Sequence, residues 1–208
     1  MPATQRKPRA LLLTAAVVAW SAAVVTAMAW TWRYKSTPAP EGAAPAAWPA
    51  ASALPRRAGR PVLVMLAHPR CVCTRASLAE LGALLTEVGG AVDALVVFVR
   101  PDGTADDWIA TDLWTTASAM PGVKVIVDRG GRETERFGAQ ASGTVLVYDA
   151  DGRLAFSGGI TGARGHVGDN IGLRRAVALI KQGKADKRSS PVFGCELLGP
   201  RPAGGASP

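Results

Sequence analysis

Pro61-Val-Leu-Val-Met-Leu-Ala-His68-Pro-Arg70-Cys71-Val-Cys73-Thr74 is the stretch that decides how this chain is read. The run Pro61–Ala67 has the length and unbroken apolar character of a buried strand. Beyond it, Leu78, Leu81, Leu85 and Val88 recur at helical spacing, which predicts a helix from near Thr74 to the stop at Gly89-Gly90. Two of the three cysteines therefore fall where a strand hands over to a helix. The unpaired N–H groups and the dipole of a helix N-terminus stabilise a thiolate at that place.

Working outward, Asp93–Val99 reads as a second apolar strand and Pro101-Asp102-Gly103 as a turn. A helix is expected over about Ala105 to Ser118, ended by Pro121-Gly122. Val123–Val127 is expected to be a third strand and Glu133–Phe137 a short helix. Thr144–Tyr148 and Arg153–Ser157 flank Asp149-Ala-Asp-Gly152, the pattern of an antiparallel hairpin. Asp169 or Asn170 is placed to cap a last helix carrying Ala176, Val177, Leu179 and Ile180. Alternating strands and helices point to an α/β domain, a mixed sheet with helices on both faces.

Upstream, residues 10–32 carry no charge. As a helix they reach roughly 34 Å, enough for a bilayer core of about 30 Å. Arg6, Lys7 and Arg9 precede this span, and Trp30, Trp32 and Tyr34 follow it as an aromatic belt. The span is read as a transmembrane signal anchor with residues 1–9 in the cytoplasm and the rest outside it. Ala27-Met28-Ala29 resembles a signal-peptidase site, and cleavage there exports the remainder equally. Residues 33–60, rich in Pro and Ala, read as an extended linker. Residues 61–183 form the domain, and 184–208 a polar tail whose Val192-Phe193-Gly194-Cys195 can dock back. The formal charge of +8 is concentrated before the domain: eight basic residues and one acidic residue lie up to Arg60, leaving a net of +1 beyond it. The domain has no strongly basic surface for nucleic acid.

The element order, with cysteines after the first strand, resembles the thioredoxin fold. More narrowly it resembles the membrane-anchored extracytoplasmic thioredoxin-like proteins of bacteria, and among them the RedB-type group. The motifs are His68-Pro-Arg-Cys-Val-Cys-Thr-Arg-Ala-Ser-Leu-Ala-Glu-Leu81, Ser157-Gly-Gly-Ile-Thr-Gly-Ala-Arg-Gly-His-Val-Gly-Asp-Asn170 and Phe193-Gly-Cys195. The resemblance implies a single-pass protein of the bacterial inner membrane with its domain on the periplasmic side. It also implies a helper role in cytochrome or metalloenzyme maturation; a haem-attachment Cys-x-x-Cys-His motif is absent. Two departures stand out. The cysteines are spaced Cys-x-Cys instead of Cys-x-x-Cys, and Ser142-Gly143 stands where thioredoxins carry a cis-proline that shapes the substrate groove.

The chemistry expected is thiol–disulfide exchange on an exported protein, with Cys71 as nucleophile and Cys73 as resolving thiol, recharged by a redox partner. A disulfide closed through one residue is strained and hence more oxidising. His68, Arg70 and Arg75 are positioned to tune the thiolate. The structural alternative is a stapling disulfide, for instance Cys73 with Cys195, which leaves Cys71 free. The metal alternative needs no other cofactor than copper: Cys71, Cys73 and His166 make a soft site for Cu(I) or zinc. Copper-delivery proteins of the Sco type use this fold with two cysteines and a distant histidine. His166 otherwise serves as a loop residue, Asp169 as a cap, and Trp108 and Trp114 as packing. Neither a phosphate loop nor a hydrolase nucleophile elbow is present.

Overall fold

The computed structural model describes residues 6–198. The first residues of the expected cytoplasmic terminus, 1–5, and the end of the expected tail, 199–208, lie outside the described residues. The chain divides into two compact units, residues 1–37 and 38–208. The first is a single helix, α1 (Arg6–Ser36). Its stretch Ala10–Ser36 contains an 18-residue window of mean hydropathy 2.1 and is long and apolar enough to cross a membrane. The Thr14, Thr26 and Thr31 hydroxyls donate to the carbonyls four residues back, so these polar groups are satisfied within the helix.

The second unit is built on a six-stranded sheet in the order β3-β2-β1-β4-β5-β6. Its elements are β1 (Val62–Ala67), α2 (Val72–Val88), β2 (Asp93–Arg100), α3 (Asp112–Ser118) and β3 (Val123–Arg129). They continue with α4 (Arg132–Arg136), β4 (Thr144–Tyr148), β5 (Leu154–Gly158), α5 (Ile171–Gln182) and the short β6 (Ser189–Ser190). β1 pairs in parallel with β2 and antiparallel with β4, so it sits at the centre and is buried along its whole length. That accounts for its unbroken apolar run, since both faces of a central strand meet a core. β4 and β5 form the expected hairpin, closed through Gly152.

One face of the sheet packs Leu63, Met65, Val96 and Phe98 against Leu78, Leu81 and Leu84 of α2, Leu113 and Ala117 of α3, and Ala176 and Leu179 of α5. The other face carries Val62, Val64, Leu66, Leu95 and Val97. The single helix at that face, α4, has five residues and leaves much of it uncovered. The remainder is covered by the Pro/Ala-rich segment. Leu54 is buried there, and Trp48 sits edge-on to Phe137 and Tyr148 at 5.0 and 5.4 Å. Backbone bonds Trp48 N–H to Gly152 O (2.8 Å) and Leu154 N–H to Ala46 O (2.8 Å) fix it. The Ser52 hydroxyl and the Ala53 N–H donate to the buried Glu133 carboxylate at 2.6 and 3.1 Å. The stretch expected as an extended linker, residues 33–60, is therefore part of the folded unit from Pro38 onward. The reason is an exposed apolar sheet face that no long helix covers.

Smaller differences have local causes. α2 begins at Val72, two residues before the expected Thr74, with Cys71 in the extended N-cap conformation. The helix expected over Ala105–Ser118 is split into a 3₁₀ turn, Asp106–Ile109, and α3. Thr111 caps α3, its hydroxyl accepting from the Trp114 N–H at 3.3 Å. For α5 the cap is Asn170, not Asp169, accepting from the Leu173 N–H at 2.8 Å.

Candidate functional site

α2 grows out of β1 through His68-Pro69-Arg70, and this turn sets the N-cap. The Cys71 N–H donates to His68 O at 3.2 Å, and the Thr74 N–H closes the first turn on Cys71 O at 3.0 Å. Cys71 and Cys73 are both buried, 4 % and 8 % exposed. Cys195 faces solvent. Its sulfur lies 3.0 Å from the Cys71 sulfur, and the three sulfurs lie within 4.8 Å of one another. The third thiol is thus brought to Cys71, not to Cys73 as the structural alternative has it.

Cys195 reaches this place because residues 194–197 dock as an extended segment. The Ser142 N–H donates to Cys195 O at 2.8 Å and the Leu197 N–H to Gln140 O at 2.9 Å, an antiparallel pairing centred on Ala141 and Glu196. Leu197 buries its side chain in the second core. Gly194 crosses so close that a Cβ there would lie 1.8 Å from Ser142 O. The Arg164 guanidinium donates to Gly194 O from the loop after β5.

Ser142-Gly143 holds the other wall. Ser142 Oγ accepts from the His68 N–H at 2.9 Å and contacts Thr74 Oγ1 at 2.8 Å. Thr74 Oγ1 donates to His68 O at 3.0 Å, so the Ser142 hydroxyl is the donor of the pair. Gly143 adopts φ +87°, and a Cβ there would meet Ser77 Oγ at 2.5 Å; only glycine fits this approach. Among the described residues there is no cis peptide bond. The position is locked by hydroxyl hydrogen bonds, and its N–H, which a proline would lack, is what holds the tail.

Burial and hydrogen bonding around the thiols set their order of ionisation. Burial alone pushes the Cys71 thiol up. Hydrogen bonding from the Cys195 thiol, and then from the backbone N–H groups of Cys195, Cys73 and Thr74, outweighs it and leaves Cys71 below the usual thiol range. Burial and the neighbouring Cys71 push Cys73 up. Cys195 is pushed up to about 12, first by burial and then by its contact with Cys71. Arg164 opposes both rises through its positive charge. Cys71 is the most acidic thiol of the three, and the Cys195 thiol faces it.

The other expected residues are placed differently. His68 turns its ring to Trp108, edge-on at 5.2 Å, and its Nδ1 accepts from the Arg70 N–H at 3.1 Å. Burial, helped by Arg70, pushes its pKa down, which favours a neutral ring. Arg70 lies over the same Trp108, 5.2 Å from the ring centre, and Arg75 pairs with Asp112. His166 is exposed on its loop and lies outside the cysteine group; Cys195 takes the place expected for it.

Two contributors were not picked out from the sequence. Arg164 sits two residues from His166, inside the same glycine-rich motif. Glu80 is buried in α2 and accepts from the Gly168 N–H at 2.6 Å and the Asn170 amide at 3.3 Å, anchoring that loop to the helix. Its only sequence signal is a carboxylate on the apolar side of α2, one residue before Leu81.

No family model matches the chain, and no curated protein matches it. Solved structures do. A hypothetical protein of Sinorhizobium meliloti 1021 superposes with TM-score 0.54 at 18 % identity, over 67 % of this chain and 79 % of that one. An uncharacterised conserved protein of Geobacillus kaustophilus gives 0.54 at 14 %, over 67 % and 77 %. A putative thioredoxin of Neisseria meningitidis gives 0.44 at 13 %, over 61 % and 80 %. The sheet order with β1 central, the cysteines at the start of α2 and the antiparallel β4–β5 hairpin make the thioredoxin-like arrangement expected from the sequence, and one helix long and apolar enough to cross a membrane precedes the domain.

Proposed function

We propose that this protein is an extracytoplasmic thiol–disulfide oxidoreductase acting on an exported protein through Cys71. The observation that carries the reading is Cys71 at the N-cap of α2 with a second sulfur 3.0 Å away. A low-pKa thiol beside another thiol is the arrangement that attacks a disulfide and then resolves the mixed disulfide. Cys73 supplies a further thiol within the group, and a redox partner outside the chain restores the starting state. The basic Arg6, Lys7 and Arg9 at the start of α1, ahead of its apolar span, favour an anchor in the bacterial inner membrane with the domain on the periplasmic side. The sequence motifs at His68–Leu81 and Ser157–Asn170 favour the RedB-type group within the anchored thioredoxin-like proteins.

The test uses the full chain in detergent, equilibrated in graded glutathione buffers with thiols trapped by alkylation. A reversible disulfide involving Cys71, with a potential between about −120 and −270 mV, is expected of a working oxidoreductase. Loss of exchange in Cys71→Ser is expected as well. Thiols that stay reduced throughout, or a disulfide that never opens, exclude the reading.

A second reading rests on the convergence of three sulfurs. Three soft donors within 4.8 Å fit a thiophilic ion such as Cu(I). Cys71, Cys73 and Cys195 would hold it, and His166 has no part in the set. Cu(I) titration should then be abolished by Cys195→Ser and unaffected by His166→Ala; dependence on His166 excludes this ligand set.

A further inference from the structure

The tail that carries Cys195 is neither loosely placed nor required to complete the sheet around β1. It runs from β6 past Val192, which accepts from the Ala39 N–H at 2.8 Å, to the antiparallel pairing at residues 140–142. There it occupies the backbone groups beside the Cys71 sulfur that an extended chain needs in order to add to an edge. Leu197 and the Arg164 bond to Gly194 O hold it in register. Cys195 itself is exposed on extended backbone outside any helix, so its side chain can turn toward Cys71.

Cys73 has no such freedom. It lies in the first turn of α2, whose closing bond joins the Thr74 N–H to Cys71 O. A disulfide from Cys71 to Cys73 must close through Val72 alone, against that turn. A disulfide from Cys71 to Cys195 needs the two sulfurs to approach by about 1 Å, from 3.0 Å to bonding distance, with no change of helix.

We propose that Cys195 is the resolving thiol for Cys71, held against it by the docked tail before the Cys71–Cys195 disulfide closes. The inference rests on the exchange reading above. With oxidised glutathione the steps balance. The Cys71 thiolate attacks one glutathione sulfur, breaking the S–S bond. This forms a Cys71–glutathione mixed disulfide and releases one glutathione thiolate, which takes up a proton. Cys195 loses its proton to solvent and attacks Cys71 Sγ. The Cys71–Cys195 bond forms and the second glutathione leaves. Two electrons pass from the two cysteines to one glutathione disulfide, which becomes two thiols. An exported disulfide substrate takes the place of glutathione in the same sequence.

The experiment is disulfide mapping by mass spectrometry on the full chain in detergent, after acid quench at intervals of reaction with oxidised glutathione. The wild-type chain and Cys73→Ser should both close Cys71 to Cys195. Cys195→Ser should accumulate the Cys71–glutathione mixed disulfide several-fold over wild type. Gly194→Ala, whose methyl meets Ser142 O, should slow resolution and speed modification of reduced Cys71 by a bulky maleimide, each several-fold. A disulfide mapped to Cys71–Cys73, with Cys195→Ser resolving as fast as wild type, overturns the role of Cys195 and leaves the exchange reading standing. Absence of any reversible disulfide at Cys71 overturns both.

Discussion

Cys71 owes its lowered pKa to hydrogen-bond donors more than to neighbouring charge. The two arginines next to it in sequence are engaged elsewhere, Arg70 with Trp108 and Arg75 with Asp112. What remains is a set of donors: the Cys195 thiol and the backbone N–H groups of Cys195, Cys73 and Thr74. Cys195→Ala removes the first of these, so the Cys71 pKa should rise. The thiolate fraction grows with pH, and half-ionisation should come at lower pH in wild type than in the variant. The thiolate ultraviolet absorbance, taken as a difference against Cys71→Ser in each background, measures it; equal midpoints would show that the backbone alone sets the value. The linked stability has a definite sign. A thiol whose folded pKa is depressed adds stability above its unfolded pKa, and that stability is lost as pH falls through the lowered folded value. Ser142 is the second residue whose role is local. Ser142→Ala leaves the His68 N–H without its acceptor in a mostly buried site, at a cost of about 1–3 kcal/mol. Urea denaturation reads that cost, and a change below a few tenths would show that water replaces the hydroxyl.

At the scale of elements, the loop between β5 and α5 is where a polar network replaces packing. Asn170 performs three tasks: its carbonyl oxygen caps α5, and its amide donates to Glu80 and to Gly168 O. Asn170→Ala should therefore cost more than an ordinary cap, about 2 kcal/mol against about 1. Asn170→Asp keeps the cap but sets a carboxylate against Glu80, and should be the less stable of the two. Thermal unfolding of the pair decides this; the reverse order would show that the retained cap outweighs the repulsion between the two carboxylates. The strands and α2 were legible in the sequence because period and apolar continuity report burial directly. β1 is buried on both sides and reads as an unbroken run, and α2 shows its Leu78, Leu81 and Leu85 spacing. The partnership of Cys71 with Cys195 was not legible. It depends on a backbone pairing between residues 140–142 and 195–197, which leaves no periodic trace. Arg164 was hidden for the same reason, since its contact is to a carbonyl 30 residues away.

For the molecule as a whole, the consequential finding is that the second face of the sheet is covered by irregular chain. Residues 39–54 carry their apolar side chains singly, as Ala39, Ala44, Trp48 and Leu54. Neither a helical nor a strand period therefore marks them, and a Pro/Ala-rich composition reads as spacer. Their burial is nonetheless substantial. An aromatic such as Trp48 contributes an area whose removal costs about 3 kcal/mol when mostly buried. Trp48→Ala should lower the denaturant midpoint accordingly. A larger effect is expected of truncation. A fragment beginning at Pro38 keeps Leu54, Trp48 and the Ser52–Glu133 bond, whereas one beginning at Pro61 exposes Val62, Val64, Leu66, Val97 and Tyr148 and leaves the buried Glu133 carboxylate with Arg136 alone. The shorter fragment should bind a hydrophobic dye and unfold with a shallower, less cooperative transition; the longer should do neither. If both unfold alike, the segment is adherent to the sheet without supporting it, and the domain's stability comes from the face packed by α2, α3 and α5.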